Sequence, residues 1–316
     1  MKQSVHEERL KVPTVGGGHL FVRQLAPEQS TAVVLMVHGL GNQGDVFLQD
    51  GHGLANYLSE MGYTCIVPDM IGQGQSWPHR SRQLNHGAGV MIREDLPRLA
   101  AEARRIANGK PVFLVGEGFG GVLLASAYAR ISAMRPQVAG MVHLGTRRST
   151  RLGGVAHGGW DAFVWQRLLP LLGSLKGEVP LHWFRKSMNA ESLQLFQDAK
   201  AWNDGDWHGP GSDSFDYAAA ATQLDWPASL YLARRQGGYG DHLADVREFM
   251  RELGTHNGRL LVLGKRDGNL RNYGPLSMLQ HDDAWVDHFP VILDWLNERL
   301  RQMDSDDKPA RHLASV

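Results

Sequence analysis

Three glycine-rich turns stand where a chain can do chemistry with its backbone. Ala32–Val37, an unbroken apolar run, ends in His38-Gly39-Leu40-Gly41. Tyr63–Val67 runs into Pro68-Asp69-Met70-Ile71-Gly72-Gln73-Gly74-Gln75-Ser76. Val112–Val115 enters Gly116-Glu117-Gly118-Phe119-Gly120-Gly121, and a helical pattern follows over Val122–Met134. Strand, sharp turn and helix together present the central residue of the turn and aim backbone N–H groups at whatever lies above it. That geometry suits acyl transfer, which needs a nucleophile on the turn, a histidine base, and an acid to orient the histidine. The central position holds Gly118, which has no side chain.

Each motif alone is weak, but the three occur in order and in register within residues 38–121. On them the chain resembles the α/β-hydrolase superfamily from about His19 to Leu300, and in detail its capped bacterial esterase/lipase-like members. The resemblance implies an α/β fold: a mostly parallel twisted sheet, helices on both faces, and an inserted helical cap. It implies that the backbone N–H groups of Leu40 and Phe119 form the oxyanion site. It also makes His38, Gly39, Leu40, Glu117, Gly118 and Phe119 the expected ligand contacts, with Trp160 and Trp165 contributed by the cap. The side chain of Glu117, beside the missing nucleophile, is expected to point away from the pocket.

The same resemblance locates the other two catalytic positions. Its Gly-x-x-Asp segment precedes an Asp-Val pair by eight residues, and counting back from Asp245-Val246 reaches Gly237, with Asp241 a substitute if the loop bends. Its histidine lies in a Tyr-Gly-His-Leu segment, which here reads Tyr273-Gly274-Pro275-Leu276. His281 is a candidate displaced base; His288, at the start of the terminal helix, is expected to be structural. Ser76 belongs to the Asp69 loop, and Ser149, Ser174, Ser187 and Ser277 stand in no elbow-like context. Glycine at the elbow relieves a strained backbone, worth on the order of 1–3 kcal/mol, and leaves the fold intact. It removes the reaction, because loss of a triad costs on the order of 10⁶ in rate.

The reading is therefore a non-catalytic pseudo-hydrolase that binds a small apolar or acyl-bearing ligand, or a partner protein. An active hydrolase with a non-standard constellation is the alternative. A dinucleotide-binding oxidoreductase is a lesser one, since Gly116, Gly118 and Gly121 satisfy Gly-x-Gly-x-x-Gly. That fingerprint expects an acid about 20 positions on, and neither Asp nor Glu occurs between Gly118 and Trp160; Arg147 and Arg148 remain as partners for a 2′-phosphate. No cofactor is expected, and no metal, because the histidines show no ligand spacing.

The elements that must position these residues alternate as βαβ units. Strands are expected at His19–Leu25, Ala32–Val37, Tyr63–Val67, Pro111–Val115, Val138–Leu144, Ser229–Ala233 and Arg259–Leu263. Helices are expected at Glu94–Ile106, Gly121–Met134 and about Ala284–Arg301. Residues 1–146 and 228–303 make the two parts of the core, 147–227 the cap or lid, and 304–316 a frayed tail. The insert carries six of the nine tryptophans, Trp160, Trp165, Trp183, Trp202, Trp207 and Trp226, which either pack it onto the core or line a pocket. With 33 basic and 33 acidic residues the formal charge is zero, which gives no basis for a nucleic-acid partner. One cysteine, Cys65, excludes an intrachain disulfide. The charged start Met1–Lys11 shows no leader pattern, and no apolar run is long enough for a membrane span. A cytoplasmic location is the expectation, with the oligomeric state left open.

Overall fold

The computed structural model describes all residues except 1, 81–83, 150–163, 184–185, 206, 236–241 and 307–316, and the side chains of 165, 166 and 306. Eight strands form one sheet in the order β1-β2-β4-β3-β5-β6-β9-β10. These are Val5–Pro13, His19–Pro27, Tyr63–Pro68, Ala32–Val37, Val112–Glu117, Val138–Leu144, Ser229–Arg234 and Gly258–Leu263, in that spatial order. β2 runs antiparallel to both its neighbours, and every pairing from β4 to β10 is parallel. β3, β4 and β5 are buried along their whole length. That explains their continuous apolar runs: a parallel strand covered by helices on both faces has no polar side.

Each face of the sheet has its own core. Val33, Leu35 and Val37 pack with Leu99, Val122, Tyr217 and Phe249 from helices Leu96–Ala107, Phe119–Arg130, Tyr217–Thr222 and His242–Glu252. Ala32, Val34 and Met36 pack with Leu54, Phe289 and Ile292 from helices Leu54–Glu60 and Phe289–Asp306 on the other face. The register pairs Val37 with Gly116 and Glu117 with Leu144, so the turns after β3, β5 and β6 emerge side by side at one edge.

Several boundaries differ from expectation for identifiable reasons. β1 lies in the segment read as a charged leaderless start. It is an edge strand with mostly exposed side chains, so burial leaves no apolar signature on it. The helix expected at Glu94–Ile106 begins at Ala88 and passes through a π turn over Met91–Asp95 before Pro97, whose missing N–H breaks the regular ladder. The elbow helix stops at Arg130 rather than Met134, and a separate short turn covers Ser132–Met134. The terminal helix starts at Phe289 rather than Ala284, with Pro290 in its first turn, and reaches Asp306.

Between β6 and β9 the described residues form a π turn Val164–Leu168, helices Leu169–Lys176 and Leu193–Asn203, and a two-strand ribbon of β7 (Glu178–Val179) and β8 (Glu191–Ser192). A small core of Val164, Leu169, Val179, Leu181 and Phe196 holds this segment together. Among the described residues no helix is long and apolar enough to cross a membrane.

Candidate functional site

Gly118 closes β5 and begins the helix Phe119–Arg130 with φ 51° and ψ −123°, a region that side chains rarely adopt. Its N–H donates to the Leu144 carbonyl at 2.9 Å, which ties the turn to the end of β6. The surrounding glycines serve packing instead. A Cβ on Gly116 would overlap the Cα of Gly121, one on Gly120 the carbonyls of Val37 and His38, and one on Gly121 the Thr146 side chain. At Gly118 a Cβ would meet nothing within 4 Å. Among the described residues, the space above Gly118 is open and the glycine frame around it is close-packed.

The neighbouring turn is held by buried carboxylates. Glu117 lies under it: Oε2 accepts from the Gly39 N–H at 2.7 Å and from Asn42 Nδ2 at 2.9 Å. Burial pushes its carboxyl above the ordinary range, against the hydrogen bonds from Asn42 and Gly39 and the charge of Arg234. A Cβ on Gly39 would come within 3.0 Å of the Phe119 N, so the turn after β3 passes directly against the elbow. Farther along, Glu191 of β8 accepts from Gly41 N–H at 3.0 Å, Gln73 Nε2 at 3.1 Å and Ser192 N–H at 2.8 Å. The Asn189 N–H donates to the Gly41 carbonyl at 2.6 Å. The β7–β8 ribbon is thereby fastened onto the turns that follow β3 and β4.

His38 is spent on the turn itself. Its Nε2 accepts from the Met70 N–H and its Nδ1 donates to the Gly39 carbonyl, both at 3.0 Å, and burial lowers its pKa. Asp69 plays the matching structural part in its own loop. Its carboxylate accepts from the Gly44 and Gln75 N–H groups, each at 2.8 Å, while Ser76 Oγ donates to its carbonyl at 2.5 Å.

On the other side of the site, the described acid–histidine contact at the candidate positions is His281 Nδ1 to Asp283 Oδ2 at 3.4 Å, within one turn. Gly237 and Asp241 lie outside the described residues, as does Trp160; the side chain of Trp165 does too. Pro275 is exposed in a turn before the short helix Ser277–Gln280. The loop leading to it is stapled by Asn269 to Gly264 N–H, by Asn272 to Lys265 N–H, and by the Tyr273 hydroxyl to Asp287 at 2.6 Å. His281 caps the turn Asp282–Trp285, accepting from Asp283 N–H at Nδ1, while Arg271 meets its Nε2. His288 is buried, with Nε2 donating to the Met278 carbonyl at 2.7 Å.

One residue near the elbow was missed from the sequence. His242 opens the helix after β9, and its Nε2 sits 3.1 Å from where a Gly145 Cβ would stand, one residue past the strand end that holds Gly118. Its Nδ1 accepts from the Arg234 N–H at 3.1 Å, which leaves the ring proton on Nε2. Burial, then Arg234 and Arg147, lower its pKa to about 2. This imidazole presents a donor at Nε2, and its surroundings disfavour the charged form. Arg147, raised earlier as a phosphate ligand, instead pairs with Asp245 at 3.1 Å, and Arg148 grips Glu252 and the Trp202 carbonyl.

Over residues 32–203, more than half of the chain, the sequence matches the family model described as alpha/beta hydrolase fold. The chain belongs to the α/β-hydrolase family. Its sheet order, with a single antiparallel strand between parallel neighbours, agrees with that membership. Solved structures share the fold at low identity. A soluble variant of monoglyceride lipase from Saccharomyces cerevisiae, in complex with a substrate analogue, superposes with TM-score 0.66 at 15% identity, covering 95% of this chain and 96% of that one. DcsB in complex with its substrate analogue gives 0.62 at 15%, covering 94% and 99%. The esterase EaEST from Exiguobacterium antarcticum gives 0.59 at 18%, covering 91% and 98%. No curated protein sequence matches the chain.

Two features of this hydrolase-fold protein bear on what it can hold. The described tryptophans of the β6–β9 segment are mostly core: Trp202 packs on Phe119 with ring centroids 5.7 Å apart, Trp207 Nε1 donates to Ser126 Oγ at 3.1 Å, and Trp226 stacks on Tyr128. A cleft of about 240 Å³, with Gly118 not in its lining, lies between Gly72, Gly74 and Arg80 of the core and Glu178 and Asn189 of the segment. It is polar, and Arg80 already pairs there with Glu178 at 3.1 Å. Among the described residues no cluster of His, Cys, Asp and Glu is arranged to hold a metal ion.

Proposed function

We propose that this α/β-hydrolase-fold protein is a non-catalytic member that binds a small apolar or acyl-bearing ligand above the elbow, with the β6–β9 segment as its cap. The observation that carries this reading is Gly118, an open position in an otherwise complete glycine frame. The N–H groups of Leu40 and Phe119 remain as donors for a carbonyl oxygen, and Glu117 and Glu191 hold the turn that bears the first of them. Among the described candidates, His38 is committed to its turn, His242 presents a donor at Nε2, and Pro275 has no acid–base group. A serine hydrolase needs both groups within hydrogen-bond reach of one another.

The test is activity-based labelling with a fluorophosphonate probe, together with turnover of short p-nitrophenyl esters. The expected result is neither adduct nor turnover above the buffer rate. A stoichiometric adduct on any serine would overturn the proposal and identify the unorthodox nucleophile.

A further inference from the structure

Most apolar side chains of the β6–β9 segment are spent inside the fold, but three are not. Leu171 and Leu175 are each 57% exposed, and Trp183 is 54% exposed. The two leucines stand four residues apart on the helix Leu169–Lys176 and therefore share one face. Lys176 follows Leu175, and its Nζ lies 3.8 Å from the Trp183 ring centroid, which places the indole at the last turn of the helix that carries the leucines. Exposed apolar groups that cluster, unlike scattered ones, mark an interaction surface.

Apart from Glu178, the described charged side chains of residues 164–190 are basic. Arg167, Lys176 and Lys186 are all exposed. Among the described residues none of the three has a carboxylate partner. The acid within the stretch, Glu178, is turned away to Arg80. Three side chains fall far short of the roughly 800 Å² per partner that a stable protein interface buries. They suffice for a different medium. An apolar helix face rimmed by basic side chains, with tryptophan at its edge, sits in the headgroup zone of a bilayer, where long lysine and arginine stems keep their charges at the surface. Anionic headgroups supply a counter-charge that no described carboxylate gives these three side chains.

We propose that this face of the β6–β9 segment docks the protein on an anionic lipid surface. The proposal concerns an outer face and stands or falls independently of what the elbow binds. Cosedimentation of the full chain with vesicles tests it, comparing pure phosphatidylcholine with vesicles containing about one-third phosphatidylglycerol. We expect several-fold more pelleted protein with the anionic vesicles, and loss of that excess in high salt. The double variant Leu171→Glu/Leu175→Glu should bind at least tenfold more weakly, and Trp183→Ala, a change at an exposed position, several-fold more weakly with an unaltered circular dichroism spectrum. Equal pelleting with neutral and anionic vesicles, no pelleting, or undiminished binding by Trp183→Ala would overturn it. So would concentration-dependent dimers that these variants dissolve, which would make a second copy the occupant of the face.

Discussion

The two halves of the site's edge are held by different kinds of contact. The turns after β3 and β5 keep everything that backbone can supply: a close approach of Gly39 to Phe119, a positive φ at Gly118, and buried carboxylates that hold the turn in place. The described side chains opposite are engaged otherwise: His242 presents a donor at Nε2, Arg147 after β6 pairs with Asp245, and position 275 is an exposed proline. The lesson is that an oxyanion turn and a triad are held by separate forces. The turn is part of the packing of the sheet edge, so losing it would cost stability. An acid or base carried on a surface loop can be replaced at little cost to the fold.

That contrast can be broken most forcefully inside the elbow frame. Gly116→Ala should destabilise the protein by roughly 3 kcal/mol or more in urea unfolding, since its Cβ collides with backbone that cannot move. Next in size is Glu191→Ala, which strands the N–H groups of Gly41 and Ser192 and the Gln73 amide. A loss of about 2 kcal/mol is expected, with increased proteolysis of the β6–β9 segment. If either change were as mild as a surface substitution, the claim that packing preserves this half would fail.

A third test is pH dependence. His143 is wholly buried, stacked on Tyr231 at 4.6 Å, with neither ring nitrogen hydrogen-bonded, and burial lowers its pKa to about 3. Unfolding restores an ordinary value near 6.5, so the unfolded chain binds the proton first. The group's contribution is therefore complete above that value and is lost as pH falls toward about 3. His143→Leu should flatten the acid limb of stability by about 1.4 kcal/mol per pH unit below pH ~6. An unchanged slope would mean that the imidazole finds a partner. Smallest of all, Pro275→Ala should shift stability by less than about 0.5 kcal/mol, as expected of an exposed position outside the packed frame.

What could be read from residues alone follows the same division. β3, β4 and β5 announce themselves because burial on both faces demands continuous apolar runs, and the glycine frame between Gly116 and Gly121 is legible because backbone approaches too closely there for any Cβ. β1 is illegible because an exposed edge strand selects for charge. The clasp of Glu117 on Gly39 and Asn42 joins residues 75 or more positions apart, so no local pattern reports it. His242 shows the same limit: its sequence setting is that of an ordinary helix start, and only the fold brings it over Gly145. The described tryptophans Trp202, Trp207 and Trp226 are core, a choice that composition left open.

The central claim, that the chain kept the turn and lost the reaction, is tested most directly by Gly118→Ser. The open space admits the side chain, and the positive φ costs on the order of 1 kcal/mol, so the variant should fold. We predict no turnover of p-nitrophenyl butyrate above the wild-type background and no fluorophosphonate adduct at the new serine. Saturable hydrolysis by this single variant would contradict the account, because it would require a working base beside the elbow.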